Sequence, residues 1–289
     1  DLLGGRTMLE NIRLSFQGVW SHRLRSFLTM LGIIIGIAAI IAIVSTIKGT
    51  NEQIKKNLIG SGTNTTTVQL TEEGNYPAEM EYGIPKGIPV LDDDMRQQLA
   101  DIDHVKDASL YVSRTQVDYI YYNDTSLSGG QLIGADSHYL GTCGYIMKRG
   151  RGFTDSDYEK YRKVAVIDSV AADSLFGDAN PVGKTIDIKG EPFIVIGVIE
   201  ESTAFSPVIN SVEDYYTYVY NDGSASGIVV IPDVDWNIVQ QYDEPQNAKL
   251  LADSTDNMTS VGKAAQTLLN ETVTSKSIKY RAANMNETA

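Results

Sequence analysis

The chain of 289 residues carries 24 Lys and Arg against 37 Asp and Glu, a net charge of −13 with histidines neutral, and 42% of its residues are hydrophobic. That length exceeds one average domain, and the acidic balance argues against nucleic acid as a partner, because such binding needs a basic surface. The one cysteine, Cys143, excludes an intramolecular disulfide, so a folded domain here must rest on its hydrophobic core.

In chain order, residues 8–20 place Leu9, Ile12, Phe16, Val19 and Trp20 at helical spacing, with Glu10, Arg13 and Gln17 elsewhere around the wheel. This predicts an amphipathic helix at a membrane surface within a cytoplasmic segment 1–25, anchored in the headgroup zone by Trp20, Arg23 and Arg25. The alternative is a helix packed on a soluble partner. From Ser26 to Ile47 follow 22 residues without a charge. About 20 apolar residues cross a bilayer core as a helix, and a globular core seldom needs a helix apolar on every face, so 26–47 predicts a transmembrane helix. The run leaves through Thr46, Ile47 and Lys48 rather than through small residues, which predicts an uncleaved anchor. Gly32 and Gly36 within it match the small-xxx-small spacing of packed membrane helices.

Arg13, Arg23 and Arg25 precede the span while Lys48, Lys55 and Lys56 follow it, so basic flanks leave orientation nearly tied. Size breaks the tie: a large following domain is translocated whatever its charge, which puts the N-terminus in the cytoplasm and 48–289 outside. Four basic and two acidic residues precede Lys48, leaving 20 basic and 35 acidic beyond it, a net charge of −15. An outer domain so acidic also argues against anionic lipid as its own partner.

Beyond the span a polar connection (GSGTNTTT, 60–67) leads to a short strand near Thr67–Leu70, and residues 74–90, with Pro77, Pro85 and Pro89, read as a loop. Asp92–Asp94 cap a helix with Met95, Leu99 and Ile102 on one face, followed by a strand at Ala108–Val112. Negative charge in a first helical turn explains that acidic triplet without a metal. The middle of the chain reads mostly as strand, at 117–122, 164–167, 185–188 and 193–199, the last apolar throughout (FIVIGVI) and expected at the centre of a sheet. A strand at Gly227–Ile231, a helix around Val261–Leu269 and a strand at Ser277–Arg281 repeat the strand-helix-strand order. The expected architecture is an α/β layer from both ends of the outer domain, 48–114 and 226–289, with a β-rich subdomain inserted at 115–225.

The stretch GDANPVGKT (177–185) ends like a phosphate-binding loop, yet five residues rather than four separate Gly177 from Gly183. Helical pattern precedes it and strand alternation follows, the inverse of what a phosphate loop requires. It reads as a helix stop at Gly177, a turn at Asn180-Pro181 and, from Gly183, a hairpin that folds back at Gly190-Glu191. His22, His104 and His138 are scattered, and neither metal-ligand spacing nor a nucleophile elbow occurs, so no catalytic, cofactor or metal residues are predicted. Tyr216, Tyr218 and Tyr220 share one face at strand spacing and suit either half-buried sheet packing or a surface for a ligand or partner.

Several segments together resemble the MacB-like permeases of ATP-binding-cassette transporters, within the wider FtsX-like group. HRLRSFLTMLGIIIGIAAIIAIVSTIKG is similar to that family's first transmembrane helix, and GRGFTDSDY (150–158), VAVIDSVAADSLFG (164–177) and NPVGKTIDIKGEPFIVIGVI (180–199) resemble consecutive blocks of its outer core domain. The resemblance implies a porter-like α/β part with an inserted β-rich part, and a permease of four membrane helices, of which this sequence would hold the first. It also implies a dimer of permeases working with a cytoplasmic ATPase, which would carry the ATP and Mg²⁺. Two functions fit: export of a peptide, drug or lipid-linked substrate, or a non-transporting signalling permease that activates an extracellular partner such as a cell-wall hydrolase.

Overall fold

The computed structural model describes residues 2–58, 64–72, 76–77, 83–201 and 227–282. The chain divides into two compact units, Asp1–Ile54 and Lys55–Ala289. The first is carried by a single helix, α1 (Leu2–Leu58). At about 1.5 Å per residue its 57 residues measure ~86 Å, against a bilayer core of about 30 Å. The surface helix expected at 8–20 is therefore continuous with the apolar span. Residues 21–25 (SHRLR) contain neither Pro nor Gly, so nothing local ends the helix there. Within α1, Arg6–Ser45 is the one stretch among the described residues long and apolar enough to cross a membrane, and none of it is buried within the chain. Each exposed isoleucine from Ile33 to Ile43 would forgo about 1.5–3 kcal/mol in water relative to full burial, which favours a lipid or helical surround.

The second unit opens with β1 (Thr65–Glu72) and the short β2 (Tyr76–Pro77), which pairs with the end of β1. The helix α2 (Asp93–Ala100) follows, its N-cap Asp92 accepting a hydrogen bond from Met95 N at 3.0 Å, with Asp93 and Asp94 in the first turn. A long strand, β3 (Val105–Val117), leaves the first lobe and enters the second. There the chain forms β4 (Ile120–Tyr122), β5 (Thr125–Ser126), β6 (Gly130–Ala135), α3 (Tyr139–Thr142), β7 (Ile146–Gly150) and α4 (Asp155–Glu159). Next come β8 (Val164–Asp168), α5 (Ser169–Phe176), β9 (Thr185–Ile188), β10 (Glu191–Glu200) and β11 (Ile228–Pro232). A 3-10 turn (Asp233–Asp235) and α6 (Trp236–Val239) close that lobe. The first lobe then resumes with β12 (Asn247–Ala252), α7 (Met258–Asn270) and β13 (Lys279–Ala282).

All described strands belong to one sheet, ordered β13-β1-β12-β3-β6-β11-β8-β10-β9-β4-β5, with β2 on β1 and β7 on β10. The first four form a split β-α-β pair: α2 links β1 to β3, α7 links β12 to β13, and every neighbour is antiparallel. Their core gathers Val68, Leu70, Leu99, Leu250, Val261 and Leu269 under the two helices. In the inserted lobe β6 and β11 are parallel, as are β8 and β10. On its far side β10 meets β9 along Glu191–Ile194 and β7 along Gly197–Glu200, so two short strands share one edge.

This topology corrects the expected boundary at 226. The strand at Ile228–Pro232 does not begin the return to the first lobe; it lies between β6 and β8, with Val229 and Ile231 in the inserted lobe's core. Its run IVVIP has no alternation and is buried on both faces, the pattern of a central strand covered above and below, and both its edges are paired. The return starts instead at β12, where no strand was expected. Its NAKLLA sequence uses good helix formers, and only pairing with β1 and β3 makes it a strand.

Where β7 ends, Gly150 has φ +73°, and a Cβ there would lie 2.1 Å from Ile196 O; one on Gly197 would lie 2.4 Å from Arg151 O. The register of β10 shifts between Val195 and Gly197, so a bulge and a left-handed glycine fit against each other. Gly150→Ala is expected to lower stability by on the order of 3 kcal/mol, from left-handed strain plus overlap. Denaturant unfolding of the two proteins measures it, and a loss below about 1 kcal/mol would show that the backbone relaxes there.

Candidate functional site

The residues predicted from the sequence fall in separate places. Gly32 and Gly36 stand one turn apart on α1, and a Cβ built on either meets nothing within 4 Å, so this small-residue face is unpartnered among the described residues. Trp20, Arg23 and Arg25 are exposed on the same helix. Tyr216, Tyr218 and Tyr220 lie outside the described residues.

At 177–185 the chain leaves α5 through Gly177 (φ +58°) and enters β9. Val182 N donates to Asn180 Oδ1 at 3.2 Å, Gly183 N to Val195 O at 2.8 Å and Lys184 N to Pro181 O at 3.0 Å. These backbone donors, which a phosphate loop would converge on its anion, are engaged in a turn and a sheet margin. Lys189 (φ +52°) and Gly190 (φ +87°) form the two-residue left-handed turn between β9 and β10.

The GRGFTDSDY segment is organised around Asp157, whose side chain is fully buried. Arg151 donates to it twice, at 2.7 and 3.2 Å, Thr154 N and Oγ1 at 2.9 and 3.2 Å, and the Arg162 guanidinium lies 3.5 Å away. Burial alone would raise this carboxyl, but the Arg151 guanidinium and the Thr154 N–H outweigh it and hold Asp157 at about 2. The arrangement is a capping box whose acid also clamps the strand end at Arg151.

Two clusters had no sequence signal. Beneath the first lobe's sheet, Lys249 donates to Thr67 Oγ1 at 2.8 Å, and its ammonium lies 5.5 Å from the Tyr111 ring centre. Burial alone would lower Lys249, but Tyr111, Cys143 and Glu201 outweigh it and raise it. Tyr111 stacks at 5.2 Å on Tyr139, beside Cys143, whose thiol burial pushes up to about 11. A thiol so protonated is a packing group rather than a nucleophile. The second cluster, acidic, lies where β6 and β11 end. Burial, and then the charge of Asp136, push Asp233 up to about 7, while burial pushes Asp235 up to about 6. A DVD turn gives no hint that Asp233 as a whole stays exposed while Asp235 is wholly buried; only the fold reveals it. Among the described residues no three His, Cys, Asp or Glu side chains are placed to hold a metal ion.

The family described as the MacB-like periplasmic core domain matches residues 26–268. This chain belongs to that family. Among its relatives, YvrN of Bacillus subtilis, named an uncharacterised ABC transporter permease, is 35% identical over 269 residues, 91% of this chain and 62% of that protein. MacB of Campylobacter fetus, named a macrolide export ATP-binding/permease protein, is 32% identical over 213 residues, 73% of this chain and 32% of that protein. The chain thus spans under two thirds of the first and about a third of the second. The periplasmic region of MacB from Actinobacillus actinomycetemcomitans shares the fold, with a TM-score of 0.52 at 20% identity over 78% of this chain and 90% of that one. So does the extracellular domain of YknZ, with a TM-score of 0.51 at 21% identity over 76% of this chain and all of the other.

Within this MacB-like domain, Asp157→Ala is expected to cost about 2–4 kcal/mol at neutral pH, less than a wholly buried pair because both guanidiniums reach water. A depressed carboxyl stabilises the fold above its unfolded value near 4 and loses that effect as pH falls towards 2, so the gap between variant and wild type should close between about pH 4 and 2. Urea titrations at pH 7 and pH 3 measure both; a gap unchanged by pH would refute the assignment. For the 177–185 turn, Lys184→Ala should leave the ATPase activity of an assembled complex unaltered, and a loss through failed nucleotide binding would overturn its architectural role.

Proposed function

We propose that this chain forms the first membrane helix and outer domain of an ABC-type permease that couples cytoplasmic ATP hydrolysis to movement outside the membrane, for efflux of a peptide, drug or lipid-linked substrate. The observation that carries the reading is the extent of the family match: it starts at Ser26, where the apolar span starts, and continues through both lobes of the sheet domain to residue 268. Span and outer domain are thus parts of one inherited unit. The names of the relatives, permeases and a macrolide exporter, support the same direction.

In this reading the chain's contribution is mechanical. An α-helix unbroken from Leu2 to Leu58 satisfies its backbone internally across the bilayer and extends beyond both faces of it. Such a rod carries displacement from a cytoplasmic ATPase to the outer side without a compliant joint. The ATP and Mg²⁺ belong to that ATPase. A second permease copy would pack on faces of α1 that none of the described residues covers, Gly32 and Gly36 among them. The N-terminus is cytoplasmic and the acidic unit extracytoplasmic.

Orientation is testable on the protein itself. With Cys143 replaced by Ser, a cysteine at exposed Lys106 should react with a membrane-impermeant maleimide on intact cells, and one at Glu10 only after permeabilisation. The reverse pattern would sink the topology. For function, deletion of the partner ATPase should sensitise cells to a peptide or drug; altered cell-wall morphology without sensitisation would defeat export and favour the signalling role.

A further inference from the structure

The parallel strands β6 and β11 end side by side, Ala135 opposite Pro232. Immediately beyond them the chain places Asp136 on one side and the turn Asp233–Asp235 on the other. The helix α4 closes over this corner, and Tyr158 Oη donates to Ala135 O at 2.7 Å. The phenol of Tyr158 lies among four carboxylates, Asp136, Asp157, Asp233 and Asp235.

These acids are not equally provided for. Asp157 holds its guanidiniums, and Asp136 accepts from Ser109 Oγ, Leu110 N and His138 N at 2.7, 2.8 and 3.0 Å. Asp235 is wholly buried, and neither of its oxygens has a hydrogen-bond partner. The indole N–H of Trp236, the next residue, is likewise buried without a partner. The cation felt most by Asp235 is Lys163, whose ammonium is already held 2.6 Å from Glu191.

An ionised carboxylate with no donor costs several kcal/mol in such a place, whereas the protonated acid costs far less. We propose that Asp235 is stored as a neutral acid in this corner and that its ionisation releases the turn and α6 from the ends of β6 and β11, a proton-operated latch in the inserted lobe. The groups facing it are Asp157 and Tyr158 from α4, Lys163 ahead of β8 and Asp233 on its own turn, Asp136 from the end of β6 facing Asp233 and Tyr158 instead; α6 brings Trp236 and no charge. Of these only Lys163 opposes protonation. Asp233 on the same turn is an exposed residue, so the buried, partnerless member of the pair is Asp235, which burial raises.

What the latch holds is specific. A Cβ on Gly134 would fall 2.6 Å from the Trp236 ring and 2.9 Å from Val112 Cγ2, so the indole lies flush on β6 beside β3. Loosening α6 therefore uncovers β6, the strand paired directly to the one that both lobes share. Because the folded-state value of Asp235 lies above the ordinary carboxylate value near 4, the stabilisation is complete below about pH 4 and is lost as pH rises through about 6.

The test is amide hydrogen exchange on the full chain in detergent at pH 5 and pH 8, with exchange times scaled for the intrinsic pH dependence. Peptides covering 228–240 should lose on the order of 10-fold protection at the higher pH, because an open-state carboxyl is already ionised at pH 5 and only the one pH unit between pH 5 and the folded value near 6 remains to be lost, while β1 and β12 keep theirs. In Asp235→Asn the loss assigned to Asp235 should disappear, and in Asp235→Asn combined with Asp233→Asn no pH dependence should remain. Equal protection at both pH values in the wild type, or the same loss in the variant, would overturn the latch. Should the variant not fold, infrared spectra of the wild type decide: a buried protonated-carboxyl band at pH 5 that disappears by pH 8 together with the protection supports the proposal, and its absence at pH 5 or persistence at pH 8 refutes it.

Discussion

The outer unit depends on one strand belonging to two cores. Over Val105–Tyr111, β3 is paired with β12 and roofed by the first lobe's helices; over Tyr111–Val117 it is paired with β6 in the inserted lobe. Tyr111 itself stands opposite Asn247 on one side and Ala135 on the other. Each ladder bond contributes only about 0.5–1.5 kcal/mol net, but a hinge at this point must break several at once. The lobes are therefore joined by a continuous hydrogen-bonded sheet rather than by a linker. Any relative motion must come from twisting that sheet or from elements that rest on it, such as α6 against β6.

That constraint explains the different treatment of two buried acids. Asp157 fastens a strand end to its helix cap and is given two guanidiniums and a backbone donor, a geometry that holds only while it is ionised. Asp235, a short distance across the Tyr158 ring, is given none, a geometry that holds only while it is neutral. A surface with a surplus of acids beyond the span makes ionisation of a further one less favourable still. One corner of the inserted lobe thus contains a clamp that opens only in strong acid and one that opens as pH rises towards neutral, within reach of the same phenol.

Much of this organisation was legible in local pattern. The Asp92 cap, the helix stop at Gly177 and the fully apolar strand 193–199 are each set by residues within a few positions, and the structure shows them there; the hairpin turn expected at Gly190-Glu191 falls one residue earlier, at Lys189-Gly190. The span is visible because lipid imposes a simple length and composition rule. What failed depended on partners distant in sequence. β11 went to the wrong lobe because an isolated IVVIP run does not say which strands flank it. β12 was missed because Ala, Lys and Leu favour helix until β1 and β3 claim the segment. The Lys249 and Asp235 clusters were invisible for the same reason: in sequence Lys249 is 182 residues from Thr67, and burial of a DVD turn follows only from the packing of α4 and β6 over it.

The Gly-Lys-Thr at 183–185 illustrates why context outranks composition. A phosphate loop needs its amides free and aimed at one point; here Gly183 and Lys184 donate to Val195 and Pro181, one across to β10 and the other back along the turn. Those bonds set the start of β9, which in turn seats β4 and the outer edge of the sheet. Freeing the amides to bind an anion would unpair that edge, so the two uses exclude each other. On the proposed reading, the energy of ATP enters this domain only as movement of α1, and the interior is built to be deformed rather than to react: a shared strand, a clamp that stays closed and a latch that opens.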